Sequence, residues 1–165
     1  MNHHRILGLD PGSRVVGFAL LETKGGLLPK PVRSFYVSDM GVLKADLSLS
    51  FHSRIGKLHL ALCQLIETTK PTIGVIEKAF LGPNVQSALK LGEARGALVS
   101  ALTRFELPIF EVAATQVKNH ITGKGHASKA QVALALKALL GTDWGKIPYD
   151  ATDALAIALT FGTGS

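Results

Sequence analysis

Cysteine is almost missing: Cys63 is the only one in 165 residues. No internal disulfide can form, so the fold must rest on its core in a reducing setting. Cys63 lies in an apolar helical pattern, where packing rather than chemistry is its expected role. No apolar run approaches the length of a membrane span. The chain reaches Asp10 before a signal-peptide core could form. A cytoplasmic protein is therefore expected. His3 and His4 are too few for a tag and are expected to be solvated. Repeats, low-complexity tracts and linkers are missing too, so residues 1–165 are expected to form a single domain with a substantial core. The chain ends soon after its last helical pattern, so no tail domain is expected. Acidic residues are wanting in one long stretch: from Val112 to Thr142 there are none, while Lys118, Lys124, Lys129 and Lys137 stand there with His120 and His126. A solvated helix face ordinarily mixes signs, so this unmixed stretch is a candidate phosphate-contact surface. The net charge of +6 and a pI near 9.6 point the same way, though more weakly.

What is present is organised around Ile6-Leu7-Gly8-Leu9-Asp10-Pro11-Gly12-Ser13. A buried strand ends in a single carboxylate, a tight turn follows, and Val15–Leu21 resumes as an antiparallel partner. By itself the turn leaves Asp10 open between an Asx-turn residue and a metal or phosphate-site acid. Leu27–Ser38 reads as a third strand frayed by Pro29 and Pro31, and Asp39–Asp46 as a loop. Ser50–Thr68 carries Phe51, Ile55, Leu58, Leu62, Leu65 and Ile66 at helical spacing. Thr72–Glu77 repeats the first strand's shape, an apolar run closed by an acid. If the two lie side by side, Asp10 and Glu77 meet at the carboxyl edge of the sheet, where α/β proteins place their sites. The alternative for Glu77 is a pairing with Lys78 or another surface cation.

Asn84 is a candidate N-cap for a helix reaching about Arg104, whose small residues Gly92, Ala94, Gly96 and Ala97 suit close approach by another element, a second subunit included. Pro108–Val112 reads as a fifth strand and Ala114–His120 as a short helix. Ser128 caps a further helix to Leu140, stopped by Gly141. Trp144, the sole tryptophan, is expected to pack on the body. Last comes an almost wholly apolar helix opening with Asp150 and Asp153, three residues apart and therefore on one face. Acids in a first turn complement the helix dipole, which suffices for Asp150 but does not explain Asp153 at the border of a buried helix.

If Asp10, Glu77, Asp150 and Asp153 converge, each pair of carboxylates about 4 Å apart repels by roughly 4 kcal/mol at an effective dielectric of 20. Several such pairs rival the stability of a whole domain, so protons, cationic side chains or metal ions must intervene. An all-oxygen set selects Mg²⁺ or Mn²⁺ over structural zinc. Two such ions serve phosphoryl transfer, and the lysine-rich stretch offers the phosphodiester a counter-charge. Acids and basic strip together suggest a nuclease.

With these residues in view, the sequence closely resembles the RuvC-type Holliday-junction resolvases of the ribonuclease H-like superfamily. The likeness runs through Leu7–Arg14, Ile76-Glu77 with Phe80, Ser87–Gly92, Ala94-Arg95-Gly96, Gln116-Val117-Lys118, Gly123, Gly125, Ala127, Lys129, Gln131-Val132, Asp150-Ala151 and Asp153. It spans nearly the whole chain in order and spacing. The resemblance implies an α/β fold, a five-stranded mixed sheet flanked by helices. It implies an acidic tetrad, Asp10, Glu77, Asp150 and Asp153, that is both catalytic and metal-binding and holds two Mg²⁺ ions, replaceable by Mn²⁺. It further implies an endodeoxyribonuclease of recombination and repair that nicks four-way junctions symmetrically, leaving 5′ phosphate and 3′ hydroxyl ends. Lys118 and Lys129 match positions that contact DNA near the cleaved phosphate, and Lys124 joins them as an expected DNA contact. Phe80 matches the aromatic that stacks at the junction centre, with ordinary hairpin packing as its alternative. A homodimer is implied, with the Asn84 helix at the interface, and a RuvA–RuvB branch-migration complex as partner. Asp150 stands where some members carry His, which keeps this site all-carboxylate. His126 has no transferable role.

Three rivals stand beside this reading. An actin-like or sugar-kinase fold opens similarly but needs two domains around a nucleotide. A catalytically idle nucleic-acid-binding module gains nothing from four carboxylates beside phosphate. A nuclease for structured RNA shares the superfamily, and a 2′-hydroxyl preference is not legible in the sequence.

Overall fold

A computed structural model describes residues 3–79 and 84–164. Phe80 lies outside the described residues. Five strands, β1 (His3–Asp10), β2 (Val15–Lys24), β3 (Phe35–Lys44), β4 (Ile73–Glu77) and β5 (Ile109–Val112), form one sheet in the order β3-β2-β1-β4-β5. The β1–β2 and β2–β3 pairs are antiparallel, whereas β1–β4 and β4–β5 are parallel. Helices α1 (Phe51–Thr69) and α2 (Val85–Arg104) cover one face, while α3 (Ala114–Thr122), α4 (Lys129–Leu140) and α5 (Tyr149–Thr163) gather on the other. The mixed five-stranded sheet is as expected.

Strand parity decides what faces what. On β1, Leu7 and Leu9 enter the core beneath α1 and α2, while Ile6 and Gly8 face α5. Asp10 has the parity of Gly8. On β4, Ile76 turns to the α1–α2 core and Val75 to the α5 core, which gives Glu77 the α5 face as well. On β2, Val16, Phe18 and Leu20 alternate with Gly17, Ala19 and Leu21 in the same sense.

The caps follow sequence chemistry. Ser50, Asn84 and Ser128 each accept a backbone N–H from three residues on, and Gly141 closes α4 in the left-handed region. Cys63 is buried among apolar neighbours, and Trp144 packs on the core edge.

Other expectations need correction. The third strand is not Leu27–Ser38 with a loop over Asp39–Asp46; it is Phe35–Lys44. Pro29 and Pro31 cannot donate to a ladder, and a 3₁₀ turn at Val32–Ser34 intervenes. Met40 to Lys44 instead pair with Val15 to Ala19, beyond a register shift at Leu20/Leu21. His3 and His4 are not simply solvated. His3 meets the buried Glu22 carboxylate at 2.8 Å and His4 Nε2 donates to Gly26 O at 2.8 Å. Burial pushes the Glu22 pKa upward, but the Ser38 and Tyr36 hydroxyls with Arg5 and His3 leave it below the ordinary value. On α2, Ala94 is buried in the core, whereas a Cβ added at Gly92 or Gly96 would meet no described atom of another element within 4 Å.

Candidate active site

Parallel pairing of β1 and β4 sets Leu9 opposite Ile76, so the next residues, Asp10 and Glu77, emerge side by side at the carboxyl edge of the sheet. Their side chains are hydrogen-bonded to one another. Facing them, α5 brings Asp153. The approach of α5 depends on two glycines: a Cβ at Gly8 would lie 2.2 Å from Ala154 O, and one at Gly17 1.9 Å from Asp150 O. Gly17 is the β2 partner of Asp10. Backbone thus packs on backbone beside the acids, which only residues lacking a side chain permit.

Asp10, Glu77 and Asp153 line a cavity of about 190 Å³ with Lys118 of α3 and Lys129 of α4, over an apolar floor that includes Val117, Val132 and Ile157. Asp150 stands at the rim, its side chain 42% exposed. Lys129 is fixed by the first turn of α4, where Ser128 Oγ accepts from Gln131 N and Gln131 Oε1 accepts from Ser128 N. Its ammonium donates to Asp153 Oδ2 at 2.7 Å and lies 4.0 Å from Asp150 Oδ1. Lys124 is not among the cavity residues; its backbone N–H and carbonyl instead close a turn with the Thr122 hydroxyl. Nor does Glu77 pair with Lys78.

The electrostatics are those of crowded acids. Burial, then the charges of Asp153 and Glu77, raise the Asp10 pKa from 3.8 to about 7, with Lys129 pulling the other way and Asp150 adding to the rise. Burial also raises Glu77, against the hydrogen bond from Asp10, with Asp153 adding to the rise and Lys129 and Lys118 opposing it. For Lys129, burial acts to lower the pKa, but the hydrogen bond and charge of Asp153, with Asp10 and Asp150 behind it, raise it overall. Among the described residues no three His, Cys, Asp or Glu side chains close into a ready metal cage. The donor set nonetheless fits a hard divalent cation: it is all oxygen, and burial together with the repulsion among its anions holds a proton on Asp10 near neutrality.

Sequence reasoning gave Arg95 no role beyond its place in a motif. Arg95 Nε donates to Glu77 O at 3.0 Å while its guanidinium pairs with Glu111 of β5. It therefore clamps the backbone from which the Glu77 carboxylate projects. Gly8 and Gly17 were equally unweighed, although glycine inside an apolar strand is a signal of close approach.

The family model and the sequence relatives share one description. The family model for crossover junction endodeoxyribonuclease RuvC matches residues 6–161. A protein of that description from Chlorobium chlorochromatii is 42% identical over 154 residues, covering 93% of this chain and 77% of the relative. Another from Geotalea uraniireducens is 39% identical, covering 98% and 90%. Among solved structures, that of Thermus thermophilus RuvC in complex with a Holliday junction substrate superposes with a TM-score of 0.81 at 27% identity, covering 95% of this chain and 92% of that one.

Proposed function

The chain belongs to the RuvC family of crossover junction endodeoxyribonucleases, metal-dependent nucleases that resolve four-way DNA junctions, and we propose that Asp10, Glu77, Asp150 and Asp153 are its catalytic acids. The observation that carries this is the convergence of Asp10, Glu77 and Asp153 with Lys118 and Lys129 on one cavity, and Asp150 at its rim. These four carboxylates would hold two Mg²⁺ ions, for which Mn²⁺ may be exchanged experimentally. Bound there, such ions would supply Lewis acidity for activating water and for stabilising the departing 3′ oxygen. Lys118 and Lys129 hold the phosphodiester against the cavity by charge. Lys129 also holds Asp153 in place, and Arg95 fixes the position of Glu77. Cleavage leaves 5′ phosphate and 3′ hydroxyl ends. Lys124 and Phe80 remain proposed DNA contacts on the resemblance alone.

The working unit in this reading is a homodimer of single-domain chains, because a four-way junction presents two symmetric strands. The face of α2 that carries Val85 and Leu89, 69% and 62% exposed, continues through the open Gly92 and Gly96 and supports α2 as the interface. The family resemblance supports delivery of junctions by a RuvA–RuvB branch-migration complex. Among the described residues no helix is long and apolar enough to cross a membrane.

The test is incubation with a synthetic four-way junction, a linear duplex and an RNA–DNA hybrid, each with Mg²⁺ or with EDTA. Paired symmetric nicks are expected on the junction alone and only with metal. Tight junction binding without cleavage in any divalent metal would overturn the catalytic assignment.

A further inference from the structure

Behind the acidic cavity, the same two helices form a second, open groove of about 400 Å³. Helix α4 turns Lys129 and Val132 toward the acids but Ala130 and Ala133 toward this groove; α5 likewise turns Asp153 one way and Tyr149 and Thr152 the other. Trp144 and Lys146 complete the wall. The two cavities therefore neighbour one another across the first turns of α4 and α5, where Lys129 is followed by Ala130 and Thr152 by Asp153.

We propose that this groove is a nucleotide subsite that takes a base of the cleaved strand next to the phosphate held by the acids. Its chemistry matches that occupant. The alanines leave a flat space beside two aromatic rings, Trp144 half-buried against the core and Tyr149 49% exposed. Bases stack on such faces whatever their identity. Lys137 is neutralised by Asp143 at 2.6 Å, which leaves the exposed Lys146 as the cation for a flanking phosphate. The Thr152 hydroxyl donates inward, to Tyr149 O at 2.9 Å, so the wall between the rings offers no competing polar hand. The shared first turns set the groove beside the proposed active site, on which this inference rests.

Trp144 is the sole tryptophan and reports directly on the groove. A labelled four-way junction is titrated in EDTA, with anisotropy giving binding and tryptophan emission giving occupancy. At saturation the emission should fall, since a base stacked on the indole quenches it. Leu134, 70% exposed at the groove, permits a surface change that keeps the fold. L134E should lose the quench at saturating junction and weaken junction affinity roughly tenfold, the loss of one stacked base, whereas K146E should lower the salt slope of binding by about one phosphate contact. Unchanged emission on the saturated wild-type protein would overturn the subsite, as would a full quench retained in L134E. Emission that shifts with protein concentration in the absence of DNA would assign the groove to a second copy and overturn it as well. Failure of the junction to bind at all would defeat the junction-resolving reading, and this inference with it.

Discussion

Asp10 is the residue on which the chemistry and the stability of this chain meet. With its pKa raised from 3.8 to about 7, the metal-free folded chain keeps a proton that the unfolded chain has lost throughout that window. Folding stability from this group is therefore fully present below about pH 4 and falls as pH rises toward 7. Because Asp10 and Glu77 share a hydrogen bond, they titrate as a pair. The size of the loss is on the order of 2–4 kcal/mol. Asp10→Asn should flatten that part of the profile and raise Tm at pH 8 in EDTA. It should also abolish junction cleavage while sparing binding, since it removes charge that repels phosphate. Thermal melts from pH 5 to pH 8 beside a gel-shift assay check both. Lys129→Ala should do the reverse, lowering the metal-free stability by about 1 kcal/mol or less, because the side chain is 56% exposed and screened. Junction affinity measured against salt should lose up to about one phosphate contact from its slope; an unchanged slope would remove Lys129 from the DNA contacts.

At the scale of elements, the site exists because α5 lies against β1 and β2 at backbone distance. Gly17→Ala would drive a methyl group into Asp150 O, forcing α5 outward from the acids. A loss of about 1–3 kcal/mol is expected from such overpacking, with cleavage falling further than junction binding. Chemical denaturation and nicking rates measure the two effects, and an unchanged protein would refute the packing argument. Elements of this kind show what a sequence discloses. The strand-acid pattern of Asp10 and Glu77, the caps at Ser50, Asn84 and Ser128, and the Asp150–Asp153 pair were legible because each is a local signal. The third strand was not, since its pairing with β2 is set across the sheet and past a register shift, while the prolines gave a misleading start. Gly8, Gly17 and Arg95 were missed for the same reason: their partners are distant in sequence. Lys124 shows the converse, a lysine of the basic stretch that does not line the cavity of the acids.

As a whole molecule, the chain offers an acidic cavity lined also by Lys118 and Lys129, and an exposed apolar face on α2. If that face joins two copies, Leu89→Glu should yield monomers by light scattering. The monomers should nick one strand of a junction at a time, where the wild-type protein makes paired cuts. A dimeric L89E would move the interface elsewhere. The central claim is that four carboxylates from β1, β4 and α5 act as one metal-binding catalytic unit. Its most direct test is the thermal stability of the wild-type protein and of D10N at pH 8 across a Mg²⁺ titration. A ligand that binds only the folded chain raises its stability with concentration. The wild-type Tm should climb and saturate with Mg²⁺ while that of D10N stays level; an equal rise in both, or none in the wild-type protein, would contradict the account.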